Sequence, residues 1–368
     1  MKEKVIVIKN RVIFGVLLIF LLLILAVCES NNTKRQNGEA QITMLEKSIV
    51  KEAFHTDRDE GDNVDSPAFW KGENGEYWLL ATAKEGNAII IYDARNGKFI
   101  RRFDDAGAFS RPNGIAVIDD LLLVVERDNH RISIFNLPEF SPVGIIGEKE
   151  LKRPYGIAIN FFDDQYHMYI TDNYETETEE IPPASELGER VRHFTFSVKE
   201  GNLESQHIRA FGDTEGKGVL YKVESILFDR ELQRLLIAEE LEEICNIKIY
   251  SPDGKFTGVL IPNDYFHYEP EGIALFACEQ DTSGYYIITD QSYTDNSFRV
   301  FDRKSLEYIG SFGGEITSNT DGVVLTQESV GTDYPFGVFY PVHDDGSVTA
   351  IDWSDIATAL NLRKSCYY

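Results

Sequence analysis

One short unit recurs along this chain, and its spacing limits the folds available. The fullest copy is Asp65-Ser66-Pro67-Ala68-Phe69-Trp70, followed by the apolar runs Tyr77 to Ala81 and Ala88 to Tyr92 on either side of Lys84-Glu85-Gly86, and by a third run after Asn96-Gly97. Short apolar runs divided by turn residues at this interval read as one antiparallel sheet of four strands. The opening returns at Arg111-Pro112-Asn113-Gly114-Ile115-Ala116, Arg153-Pro154-Tyr155-Gly156-Ile157-Ala158 and Glu269-Pro270-Glu271-Gly272-Ile273-Ala274, with weaker copies at Glu224-Ser225-Ile226 and Thr320-Asp321-Gly322-Val323. Apart from one longer step the period is roughly 40 to 50 residues, which among repeat architectures belongs to propeller blades. A single four-stranded blade cannot bury both of its faces, so the units must stack about an axis. Six openings predict an all-β fold, a six-bladed β-propeller of four-stranded antiparallel blades.

The N-terminus reads differently. Lys2, Lys4, Lys9 and Arg11 precede an apolar run from Val12 to Val27 that ends at Cys28, the pattern of an export signal. Leu25-Ala26-Val27-Cys28 resembles the lipobox of bacterial lipoproteins, whose cysteine is acylated, although Val27 departs from the small residue usual there. The expected organisation is a leader over 1–28, a polar tether over 29–45 and the propeller over 46–368. Localisation follows as an exported protein anchored through Cys28, with a periplasmic or secreted form as the alternative. Membrane contact is expected only through that anchor, and a monomer is expected.

Net charge is −25, and because the first 28 residues hold four basic residues and one acidic, the remainder stands at −28. Nucleic acid is therefore excluded as a partner. After Cys28 only Cys245, Cys278 and Cys366 remain, without the close spacing of a zinc or redox pair; a Cys245–Cys278 disulfide is the pairing considered, against core and terminal placement. The stretch 173–190, with Glu175, Glu177, Glu179, Glu180 and Pro182-Pro183, lengthens the third repeat without an apolar period and predicts a solvated surface excursion rather than a lid.

Candidate chemistry follows from propeller geometry. If each blade's first strand is innermost, the residues that open it ring one mouth of the central channel, and the turn between the second and third strands returns to that face. The first ring is Asp65, Asn113, Tyr155, Glu224, Glu271 and Asp321, with Glu269 and Glu315 nearby; the second is Lys84, Arg127, Asp172, Glu239-Glu240, Asp290-Gln291 and His343-Asp344. Two carboxylates about 4 Å apart repel by roughly 4 kcal/mol at an effective dielectric near 20, so several in one cleft must protonate or bind cations. Oxygen-only ligation without a histidine or cysteine cluster favours several Ca²⁺ ions over a transition metal. Calcium would let the acidic mouth accept an anion, with Lys84 and Arg127 as direct contacts, and this points to a phosphorylated substrate. The plainer alternative is that the acids only cap turns.

Asp65-Ser66-Pro67-Ala68-Phe69-Trp70 and Leu236-Ile237-Ala238-Glu239-Glu240 resemble the Asp-Asp-Pro-Ala-Ile-Trp and Tyr-Ile-Ala-Glu-Glu segments of the β-propeller phytases. Glu269-Pro270-Glu271-Gly272 falls where that family has Asp-Ile-Glu-Gly. Thr320-Asp321-Gly322, Tyr334-Pro335-Phe336-Gly337-Val338-Phe339 and Trp353 follow in the same order, so the resemblance spans 48–360. It implies a calcium-dependent phosphatase removing phosphate from myo-inositol hexakisphosphate by metal-activated water, without a covalent intermediate. It further implies Asp65, Glu224, Glu240, Glu269, Glu271, Glu315 and Asp321 as calcium ligands or their supports, Asp65, Glu240 and Asp321 as catalytic, and Lys84, Arg127 and Tyr155 as contacts to phytate or another phosphate ester. The departures are Ser66 for the family's second aspartate, Glu269 and Glu315 for aspartates, Asn319 for an acid, and Asp172-Asn173 where a phosphate-binding lysine is expected.

Other phosphatase chemistries lack their residues: Arg192-His193-Phe194 is not a histidine acid phosphatase motif, and no phosphate-loop arginine follows Cys245. The rival from another class is a non-catalytic exported propeller of NHL type, suggested by Pro112-Asn113-Gly114-Ile115-Ala116, binding a protein or glycan. A single-calcium propeller lactonase or esterase is a weaker third.

Overall fold

The computed structural model describes residues 45–279 and 281–366. The leader, Cys28 and all but the last residue of the expected tether lie outside the described residues. Six sheets form the body, each led by the strand that opens its repeat. Blade 1 comprises Val64–Lys71, Tyr77–Ala83, Ala88–Asp93 and Phe99–Phe103. Blade 2 comprises Pro112–Ile118, Leu121–Glu126, Arg131–Asn136 and Ser141–Ile146. The strands of blade 3, Pro154–Phe162, Gln165–Asp172, Val191–Lys199 and Asn202–Phe211, are the longest set. Blade 4 holds Ile226–Asp229, Arg234–Glu239, Asn246–Tyr250 and Phe256–Ile261, and blade 5 holds Glu269–Ala277, Gly284–Gln291, Ser297–Asp302 and Tyr308–Gly313.

Blade 6 draws only three strands from its own repeat, Val323–Thr326, Val338–His343 and Ser347–Asp352. Its outer strand is Phe54–His55 from the start of the described chain, paired antiparallel so that Phe54 faces Ala350 and His55 faces Thr349. Just before it, Lys47–Ile49 adds a fifth, parallel strand to the outer edge of blade 5. The ring is thus closed by segments from opposite ends of the propeller, and two sheet edges that would otherwise template aggregation are covered.

The apolar core is divided among the blade interfaces. Leu80, Ile89 and Ile91 of blade 1 pack on Leu122, Val124 and Phe135 of blade 2, and comparable clusters fill the other five junctions. Each such side chain contributes on the order of 1.5–3 kcal/mol by leaving water. At the closing end, helix α1 (Trp353–Ala359) begins at Asp352, whose carboxylate accepts from the Ser354 amide at 2.9 Å. The buried Trp353 indole stacks on Phe276 with ring centres 4.0 Å apart. Cys278 and Cys366 form a disulfide that ties the C-terminal segment to blade 5, which corrects the Cys245–Cys278 pairing; Cys245 is a buried free thiol.

The repeated small residue in each opening has a steric cause. A β-carbon added at Gly156 would lie 2.1 Å from the Glu224 carbonyl oxygen of the next blade, and one at Gly322 would lie 2.5 Å from that of Asp65. Gly114 and Gly272 meet the following blade in the same way. Innermost strands can therefore approach to backbone contact, as in the Gly272 amide bond to the Asp321 carbonyl at 2.8 Å and the Gly322 amide bond to the Asp65 carbonyl at 2.9 Å. Side chains immediately before those small residues are forced onto one narrow ring. Below it runs a channel of about 500 Å³ lined by all six innermost strands, mostly by apolar side chains.

Candidate functional site

That ring is where the sequence places its acids. Glu224, Glu240 and Glu271 come from three elements: the loop before the innermost strand of blade 4, the turn after that blade's second strand, and the innermost strand of blade 5. They bring one carboxylate oxygen each within 4.8 Å of one another. Glu240 is fully buried and neither of its carboxylate oxygens has a hydrogen-bond partner. Burial is the first reason that Glu240 and Glu271 hold their protons well above the usual carboxylate range, and repulsion from Glu224 is the next. Glu224 is raised for the same leading reason, opposed by Lys222. At 4.8 Å each charged pair repels by about 3.5 kcal/mol for an effective dielectric near 20. Three carboxylates converging without nitrogen or sulfur donors, with both oxygens of the buried Glu240 lacking a hydrogen bond, form a donor set suited to a hard dication such as calcium.

A second group straddles the seam between blades 6 and 1. The Lys84 ammonium lies 2.9 Å from Asp65 and 3.1 Å from Asp321, nearly buried between them. Asp65 also accepts from the Ser66 hydroxyl at 2.8 Å and from the Tyr155 hydroxyl at 3.2 Å, while Gln291 donates to Asp321. Burial pushes the Asp321 carboxyl up to about 7 against the pull of Lys84. Ser66 therefore supplies a donor to Asp65 where a second carboxylate would have added charge. Asn113, also on the first ring, is fully buried with both amide atoms unpartnered.

The structure makes Asp172, expected at the mouth in blade 3, a backbone-binding residue, and it divides the Glu239-Glu240 and Asp290-Gln291 pairs of the second ring. Asp172 accepts from the Lys152 and Arg153 amides and pairs with Arg192 at 3.2 Å. Glu239 accepts from the Tyr221 and Lys222 amides and pairs with Lys248 at 2.8 Å; Asp290 accepts from the His267 and Tyr268 amides and pairs with Arg299. Glu126 plays the same part in blade 2 with Ser110 and Arg131. These four fully buried acids pin the loop before each innermost strand to the third strand. Asp172, Glu239 and Asp290 are thus structural; of their successors, Glu240 joins the acidic group and Gln291 donates to Asp321, while Asn173 accepts from the Val223 amide. In blade 6 the N-terminal Glu52 does this work, accepting from the Glu315, Ile316 and Thr317 amides at 2.9–3.0 Å.

Of the remaining expected site residues, Glu269 pairs with Lys222 at 3.0 Å, and Arg127 turns to its neighbour Asp128 at 2.7 Å. Glu315 is exposed, and no contact among the described residues ties its side chain to the acidic group. His343 accepts from the Ser318 amide at 3.2 Å through Nδ1, and Asp344 pairs with Arg58. Asn319 donates to Asp345 at 3.3 Å. Asp345 was not singled out by sequence, and neither was Lys222, whose ammonium also lies 3.6 Å from Glu240. Both stand in loops without a repeat signature; only their position beside a ring residue marks them.

The blade-3 excursion is a loop, but one fastened at its base. The buried Arg190 guanidinium donates to the carbonyls of Asp172, Tyr174, Leu220 and Tyr221. Along it, Glu175 pairs with Arg153 and Glu189 with Lys152 at 2.9 Å. The lysine expected in this blade is absent, and Asn173 stands at the corresponding turn.

Residues 188–358 match the family model described as Phytase, and residues 109–135 match the NHL repeat. Over 326 residues, 82% of this chain and 80% of its counterpart, the sequence is 24% identical to the 3-phytase of Bacillus subtilis (strain 168).

Proposed function

From a chain akin to the β-propeller phytases, we propose a calcium-dependent phosphomonoester hydrolase acting on myo-inositol hexakisphosphate or a related phosphate ester. The observation that carries this reading is the convergence of Glu224, Glu240 and Glu271 within 4.8 Å, with both oxygens of the buried Glu240 left without a hydrogen bond. Calcium, when bound there, would neutralise the acids, accept phosphoryl oxygens and activate water for attack. The chain's own residues would do the rest. Glu224, Glu240 and Glu271 hold the ions, Asp65 and Asp321 fix the Lys84 ammonium at the mouth, and Tyr155 orients Asp65. Lys84 and Arg127 meet the phosphate, Arg127 exchanging the exposed Asp128 for the ester. Asn113 offers an amide donor and acceptor to whatever enters. Export and anchoring through Cys28 complete the proposal, since a tethered enzyme would meet free phosphate esters outside the cell.

The test is phosphate release from myo-inositol hexakisphosphate by the purified protein, with Ca²⁺ titrated against a chelator, beside a Glu240→Gln variant. Calcium-dependent release that the variant loses by at least a hundredfold is expected. Folded protein that releases nothing at any calcium level sinks the enzyme reading. The NHL match, which covers most of blade 2, supports the second reading of a binding module. Binding of a protein or glycan that ignores Glu240→Gln would favour it.

A further inference from the structure

Both members of the Glu239-Glu240 pair hold the backbone of Lys222, as Asp172 and Asn173 hold that of Arg153 in blade 3. The Lys222 amide donates to Glu239 at 2.9 Å, and its carbonyl accepts from the Glu240 amide at 3.0 Å. From that fixed root the side chain turns into the acidic group, placing Nζ 3.0 Å from Glu269 and 3.6 Å from Glu240. Glu269 is the outermost acid, its side chain 39% exposed, whereas Glu240 is fully buried. The ammonium therefore sits at the border between the inner carboxylates and the solvent-facing one.

We propose that the Lys222 ammonium fills one cation position of the mouth, serving Glu269 and the near side of Glu240 and confining dications to the inner Glu224–Glu240–Glu271 group. The inference rests on the calcium reading above. A lysine cation this close to a ligand oxygen repels any ion that would share that oxygen. The chain thereby trades one exchangeable ion for a covalently held charge at its outer edge.

The experiment is isothermal calorimetry of Ca²⁺ binding to the full chain, wild type beside Lys222→Gln and Lys222→Arg, with phosphate release measured on the same samples. Lys222→Gln should bind one additional Ca²⁺ per chain, or bind its weakest Ca²⁺ at least tenfold more tightly, and Lys222→Arg should keep the wild-type isotherm. A Glu269→Gln change added to Lys222→Gln should abolish the gain. An unchanged isotherm in Lys222→Gln, with wild-type binding intact, overturns the Lys222 inference alone. If neither protein binds calcium, this inference and the calcium reading fall together. A wild type that binds calcium yet releases no phosphate leaves the Lys222 comparison decisive while ending the enzyme reading.

Discussion

In chelated protein, replacing Glu240 by glutamine should raise stability at pH 8, although the residue is fully buried. With all three inner carboxylates charged and at most 4.8 Å apart, each pair repels by at least about 3.5 kcal/mol at an effective dielectric near 20. The protein escapes by taking up a proton. From an ordinary value of 4.5, doing so at pH 8 costs about 5 kcal/mol, which caps the stored repulsion. Glutamine removes the charge without that proton, while its unpaired amide costs about 1–3 kcal/mol. The net gain is about 2–4 kcal/mol at pH 8. Because the folded carboxyls bind protons more tightly than the unfolded ones, the native state holds more protons, and wild-type stability must rise as pH falls from 8 toward 4.5. The advantage of the variant should accordingly shrink by about 1.4 kcal/mol per pH unit and vanish or reverse near pH 5. Urea unfolding with a chelator at pH 8 and pH 5 measures it. Calcium at a hundred times its Kd should then stabilise wild type by about 2.7 kcal/mol and the variant far less. A variant destabilised equally at both pH values would refute the argument that these carboxylates repel one another.

Three further outcomes follow from the same physical reasoning. His193, stacked on Tyr169 and sharing a 3.2 Å contact with His167, is held neutral by burial with its folded value lowered to about 4 from 6.5; its contribution is complete above pH 6.5 and lost as pH falls toward 4. Its replacement by phenylalanine should make the unfolding free energy flatter between pH 6.5 and 4.5, by about 2 kcal/mol across the window in urea unfolding. Glu52→Ala would orphan three amides and leave the Thr317 hydroxyl only its Thr349 partner, so a loss of about 2–4 kcal/mol in urea unfolding, with weakened calcium affinity through the loop leading to Asp321, is the expected pair of results. Cys366→Ser opens a loop of 88 residues' separation and should cost about 2–4 kcal/mol; reductant should lower the midpoint of wild type but not of the variant.

The blade openings were legible in sequence because the innermost strands need a small residue at backbone contact, and that demand repeats at Gly114, Gly156, Gly272 and Gly322. The ring residues before them, Asn113, Tyr155, Glu271 and Asp321, were legible for the same reason. What repeat pattern alone could not separate was an acid that binds backbone from its neighbour: Glu239 and Glu240 are chemically alike, the family resemblance pointed to Glu240, and the Tyr221 and Lys222 amides that occupy Glu239 give the physical difference. Lys222 itself was invisible, since a lysine in a loop carries no period. The closing strands, Lys47–Ile49 and Phe54–His55, were also hidden, because their partners lie nearly the whole propeller away in sequence and their length is below any usable repeat.

That closure sets the order of events during synthesis. Phe54–His55 is made first but has no partner until Ser347–Asp352 exists, and blade 1 likewise waits for blade 6. The Lys84 clamp joins Asp65 of the first blade to Asp321 of the last, so it can form only when the ring shuts. A chain stalled or clipped before its end would present most of its blades yet lack this junction. The seam is therefore the last part of the molecule to become real, and a probe of Lys84 burial would report a finished propeller rather than a nearly finished one.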